Sequence, residues 1–178
     1  MRSSRVAKRY ARALLGLSSD QSQLEKWGAE LERLGRVIEL PELEAAFASP
    51  EVSLASKIEA LATITDKLQL SFPVRSFTTV VARHGRIPDL PAIADAYGTM
   101  LDELMGRARA NLIFAVQPRD EDIKRIVSRL ESIAHKKILP TIKVDPALLG
   151  GVIVELEGKT YDGSLTSRLT EAQRRLAG

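Results

Sequence analysis

A chain of 178 residues with 44% hydrophobic and 28% charged side chains can bury a core and still cover its surface, which argues against disorder and allows one medium domain or two small ones. The absence of Cys removes disulfides, thiolate metal sites, Cys nucleophiles and thiol redox chemistry together, and aromatic content of 4% points to helix packing of Leu, Ile, Val and Ala. Net charge is only +3 with a pI near 9.3, and the excess is local: residues 1–105 carry 13 basic against 14 acidic side chains, residues 106–178 carry 13 against 9.

Basic residues dominate the start of the chain. Arg2, Arg5, Lys8, Arg9 and Arg12, with Ser3 and Ser4, all precede the first acidic residue, Asp20, as in a mitochondrial targeting segment. In the same stretch Val6, Tyr10, Ala13, Leu14 and Leu17 recur at helical spacing, which favours a folded first helix capped by Ser4 and running to about Leu17. Asp20 caps a second helix with an apolar stripe of Leu24, Trp27, Leu31, Leu34 and Ile38, stopped before Pro41. A short third helix spans Glu42 to Ala48. Ser53 opens a fourth, with Ile58, Leu61, Ile64 and Leu68 on one face, and Ser71 with Pro73 starts a fifth through Val81 to His84, ended by Gly85. A sixth runs from Leu90 to Met105, with Ile93, Tyr97, Met100, Leu101 and Leu104 directed inward. Short turns join these six, so residues 1–105 are expected to form a six-helix bundle in a mainly α protein.

The pattern changes at Gly106. Ala110, Leu112, Phe114 and Val116 alternate with Arg109, Asn111, Ile113 and Ala115, which predicts a strand over 108–116. Asp120 then caps a helix that buries Ile123, Ile126, Val127, Leu130, Ile133 and Ala134. A short strand over Leu139 to Val144 follows, then a hairpin of Gly151–Leu156 with Lys159–Asp162 across Glu157 and Gly158. Ser164 can cap a last helix with Leu165, Leu169, Ala172 and Leu176 on one face. Residues 106–178 thus read as a small α/β domain, of a size that buries only about 60% of its unfolded surface and leans on a partner.

Little in the chain points to catalysis. His84 and His135 are far apart with no ligand spacing, and the acidic triplet Asp120, Glu121, Asp122 fits a helix start better than a metal cluster. Gly150 and Gly151 precede a strand, not the Lys-Ser/Thr helix start of a phosphate loop. No Ser lies in a GxSxG setting. Trp27 falls on a core stripe. No catalytic, metal or cofactor site is therefore assigned.

Three stretches resemble the delta (oligomycin-sensitivity-conferring) subunit family of F-type ATP synthases. They are Val6-Ala7-Lys8-Arg9-Tyr10-Ala11-Arg12-Ala13-Leu14; Gly85-Arg86-Ile87 followed by Leu90-Pro91; and Asp145-Pro146-Ala147-Leu148-Leu149-Gly150-Gly151-Val152-Ile153-Val154, continued by Tyr161-Asp162-Gly163-Ser164-Leu165 and Arg168-Leu169. His84 stands where Asn is frequent in the family, and Leu165-Thr166-Ser167-Arg168 replaces a commoner Val-Arg-Gly-Arg. The resemblance implies a non-catalytic connector (stator) of the rotary, proton-translocating enzyme. Its helical domain would grip the N-terminal helices of the head's alpha subunits, and its C-terminal domain the b subunits of the peripheral stalk. It also implies one copy per complex, no cofactor, and membrane contact only through the complex, on the cytoplasmic face of a bacterial inner membrane or in an organelle. In such a protein an alpha tail lies between helices one and five, here walled by Val6, Tyr10, Ala13 and Leu17 and by Phe77, Val80 and Val81. Leu165, Leu169 and Leu176 become the stalk contacts.

Another class of function competes. The pI and the arginines of the first helix suit a basic helical adaptor for nucleic acid, whose affinity would fall steeply with salt. A small enzyme on the α/β unit would need a perturbed carboxylate in a real cleft.

Overall fold

The computed structural model describes residues 5–148, 150–156 and 159–162, and among them the protein is mainly helical with a four-stranded sheet toward its C-terminal end. The first helix, α1 (Arg5–Leu15), buries Ala7, Ala11 and Leu14 completely, the two alanines leaving room for close approach of its backbone to neighbouring elements. It ends two residues earlier than the spacing predicts. Leu17 N–H bonds the carbonyl of Leu14, three residues back, a tightened last turn that leaves the Leu17 side chain 65% exposed. Ser4, the expected cap, lies outside the described residues. Asp20 does cap α2 (Gln21–Ile38), its Oδ1 accepting from Ser22 N–H at 2.9 Å, and the whole stripe from Leu24 to Ile38 is buried.

α3 (Pro41–Ala48) begins on its proline, a residue that suits a first turn because no intrahelical N–H is lost. α4 (Leu54–Lys67) is capped by Ser53, whose Oγ accepts from Ser56 N–H. α5 (Phe72–Arg83) starts differently: Ser71 makes no side-chain cap and instead donates both its N–H and its hydroxyl to the buried Glu30 carboxylate, at 2.9 and 2.6 Å. Gly85, at φ +66°, closes α5 with bonds from Gly85 N–H to Ala82 and from Arg86 N–H to Val81, a left-handed turn that costs glycine no strain. After a 3-10 turn, Ile87–Asp89, α6 (Leu90–Leu104) buries Ile93, Tyr97 and Leu101. Leu104, expected to face inward, is exposed. Its stripe outruns the first compact unit, which ends at Leu101.

The second unit begins at Asp102. Its sheet has the order β2-β1-β3-β4, from β1 (Arg107–Phe114), β2 (Lys137–Val144), β3 (Val152–Leu156) and β4 (Lys159–Asp162). β1 is central and buries Ala108, Ala110, Leu112 and Phe114, but it stops before Val116, which is exposed. β2 pairs parallel to β1 from Arg107↔Lys137 onward, and this pairing starts it two residues earlier than its apolar run. As an edge strand β2 tolerates Pro140. β3 and β4 pair antiparallel with Leu156 opposite Lys159.

The β1 to β2 crossover is α7 (Asp120–Ala134), whose Ile123, Ile126, Val127 and Leu130 pack on the sheet core. Arg119, not Asp120, is its N-cap, because the Arg119 carbonyl already accepts from Asp122 and Ile123 N–H. Asp122 pairs with Arg119 and Arg125 at 3.0 and 2.7 Å, and all three acids lie in the first turn, where the helix dipole favours them. Ile133, expected to be buried, is 61% exposed: a helix lying on one face of a sheet covers a stripe, and Ile133 sits at its margin. Asp102, nearly buried, holds Arg109 at 2.5 Å and Arg107 at 3.6 Å.

Candidate polypeptide-binding site

α1 and α5 meet through aromatic rings. Tyr10 and Phe77 stand edge to face with centroids 6.2 Å apart, and Tyr10 also meets the His84 ring at 6.5 Å. On α1 the relevant positions are 6, 10 and 13, with Leu17 just past its end; on α5 they are 73, 77 and 80, with His84 as its C-cap. Intervals of four and three place 6, 10 and 13 along one flank of α1 and 73, 77 and 80 along one flank of α5.

The expected residues divide by exposure. Val6 and Tyr10 are half-buried, Phe77 lies at the floor, and Ala13, Leu17 and Val80 are exposed. Val81 has no exposed surface at all and packs in the core beneath α5 instead of lining a wall, since it falls on the inward stripe with Val74 and Phe77. Leu17, just past α1, and Val80, three residues after Phe77 on α5, are aliphatic residues exposed to 65% and 48%, which burial by another chain would favour.

Sequence reasoning missed three participants. His84 sits exposed at the C-terminal end of α5, with Nδ1 donating to the Val80 carbonyl at 2.8 Å. Pro73 begins the α5 flank. Both could have been found by extending the 77, 80 spacing in each direction. Glu30 is the third, because its grip on Ser71 fixes where α5 starts against α2. The signal was a carboxylate three residues after Trp27 and four before Leu34, hence on the apolar stripe.

Arg9 lies over the Tyr10 ring, 5.8 Å from its centroid, and continues into a row of cations along the outer face of α1. Leu165, Leu169 and Leu176, the residues expected to contact a stalk, lie outside the described residues. Among the described residues no group of three His, Asp or Glu is placed to hold a metal ion, and no helix is long and apolar enough to cross a membrane.

A helical unit with an apolar seam open between two of its helices, followed by a small α/β unit, has the make of a docking protein. Comparison with known proteins says which kind. The family profile described as ATP synthase delta (OSCP) subunit matches residues 6–176. ATP synthase subunit delta of Citrifermentans bemidjiense is 35% identical over 174 residues, covering 97% of each chain, and that of Desulfatibacillum aliphaticivorans is 32% identical over 177 residues, covering 99% of this chain and 97% of the other. A chain of the Toxoplasma gondii mitochondrial ATP synthase hexamer shares the fold, with a TM-score of 0.69 at 22% identity over 98% of this chain and 99% of that one. The chain belongs to the ATP synthase delta (OSCP) subunit family. It is accordingly a structural, non-catalytic connector (stator) subunit within that enzyme complex, and its association with the membrane is indirect.

Proposed function

We propose that the six helices of the first unit form a bundle whose α1/α5 seam holds the N-terminal helix of an alpha subunit, while residues 106–178 hold the b subunits of the peripheral stalk. The observation that carries the first half is the Tyr10–Phe77 contact, which joins the two flanks while leaving Ala13, Leu17 and Val80 uncovered. An amphipathic helix laid there would anchor apolar side chains between Leu17 and Val80, and Ala13 would admit its backbone closely. Val6, Tyr10 and Phe77 would form the floor, with Val81 supporting it from below. For the stalk, Leu165, Leu169 and Leu176 remain the proposed contacts on their helical spacing. One copy per complex, without a cofactor, at the cytoplasmic face of a bacterial inner membrane, completes the reading.

This role needs slow dissociation and no bond chemistry. Nanomolar attachment corresponds to about −12 kcal/mol, and two moderate interfaces on one chain reach durable attachment through effective concentration. The test is Ala13→Trp, in which an indole fills the seam. We expect binding of a synthetic alpha-subunit N-terminal peptide to fall by about a hundredfold, while the far-ultraviolet dichroism of the helices is unchanged. Undiminished binding removes Ala13 from the site.

A further inference from the structure

α1 carries charges that work against its own helix. Arg5, Lys8, Arg9 and Arg12 are all exposed and recur at intervals of three and four, so like charges are neighbours at 5 and 8, 5 and 9, 8 and 12, and 9 and 12. The first turn contains no acidic residue, so the cations at its start also oppose the positive end of the helix dipole. Among the described residues none of the four forms an ion pair, whereas Arg36, Arg75 and Arg86 of the same unit pair with Glu32, Asp66 and Asp89. With Ala13 the four cations line a shallow concavity of about 480 Å³ on the outer face of the helix.

An external anion relieves all of these conflicts at once. Seven residues of helix rise by about 10 Å, two turns, so the stripe matches a partner helix bearing carboxylates at the same spacing. Between Arg5 and Arg12 no apolar side chain is fully exposed, which disfavours insertion into a lipid surface. Tyr10, the aromatic in this stretch, is half-buried edge-on to Phe77 and so is poorly placed to stack on bases.

We propose that the Arg5, Lys8, Arg9 and Arg12 stripe docks an acidic helical segment of the head, with carboxylates three and four residues apart, beside the apolar seam. The stripe is continuous with that seam, since Arg9 covers Tyr10 and Ala13 borders both. The inference rests on the seam being the head-binding site. Its own contribution is a second, electrostatic face that sets the direction in which the tail lies.

The experiment is calorimetric titration of the full chain at about 50 and about 300 mM salt. The probes are the alpha-subunit N-terminal peptide and the same peptide with every Asp and Glu changed to its amide. A variant combining Arg5→Gln, Lys8→Gln, Arg9→Gln and Arg12→Gln is titrated alongside, and phosphatidylglycerol vesicles and single-stranded DNA are offered to the unaltered chain. We expect the native peptide to bind about tenfold more tightly in low salt, and both neutralisations to weaken it by about tenfold and flatten the salt dependence. Equal affinity and equal salt dependence of the amide peptide overturn the inference and leave the seam standing, with no question of the protein's folding. Tighter binding to vesicles or DNA than to the peptide overturns it in favour of those partners. Failure of the native peptide to bind at either salt overturns the seam reading itself.

Discussion

Among the described residues Tyr97 is the largest fully buried side chain, and its hydroxyl donates to the Leu24 carbonyl at 2.9 Å, tying α6 to the start of α2. Burial pushes this hydroxyl well above the ordinary phenol range. The folded protein therefore keeps a proton that an unfolded chain releases near pH 10, so this stability is complete below about pH 10 and is lost as pH rises above it. Urea denaturation of Tyr97→Phe at neutral pH should show a loss of about 1 kcal/mol for the hydrogen bond. The difference from the unaltered protein should shrink as pH climbs past about 10, and a constant difference refutes the assignment. Glu30 acts at the same scale: Glu30→Ala orphans two donors of Ser71 and should cost about 3 kcal/mol, while Glu30→Gln, which retains an acceptor, should cost about 1. Equal losses in the two variants would mean that packing, not the carboxylate, positions α5.

At the scale of elements, glycines set how closely α2 and α6 approach. A Cβ on Gly35 would lie 3.3 Å from the Pro91 backbone, and one on Gly28 would lie 3.2 Å from the Tyr97 ring. Alanine at position 35 gains about 1 kcal/mol of helix propensity and loses a similar amount to crowding, so it decides little. Gly35→Val cannot avoid the Pro91 backbone and should lower stability by about 2 to 3 kcal/mol in thermal denaturation, a prediction that an unchanged midpoint would defeat. Helix ends were the most legible elements. Asp20, Ser53 and Gly85 do what their types predict because capping is satisfied within a few residues. Asp120 misled for a reason equally local: a helix-favouring acid in the first turn looks the same in sequence whether it caps or follows the cap.

At the scale of the molecule, the family role asks for a chain that transmits force without chemistry. The chain divides into two compact units between Leu101 and Asp102. Apolar spacing showed where helices give way to strands, since the period changes from 3.6 to 2 at Gly106. It did not show which stripe members stay covered. Leu104, Val116 and Ile133 carry the pattern of core residues yet are exposed, because each lies past the end or at the margin of the layer that would bury it.

The candidate site divides in the same way. Its residue types and spacing on α1, and the family to which the chain belongs, follow from the sequence alone, because helical period and capping are short-range. Only the tertiary structure decided that Val81 is core while Val80 is surface, that His84 joins Tyr10 and Phe77, and that Glu30 reaches across to Ser71. Those outcomes depend on pairs of side chains up to 74 positions apart, such as Tyr10 and His84, whose meeting is set by how whole helices pack.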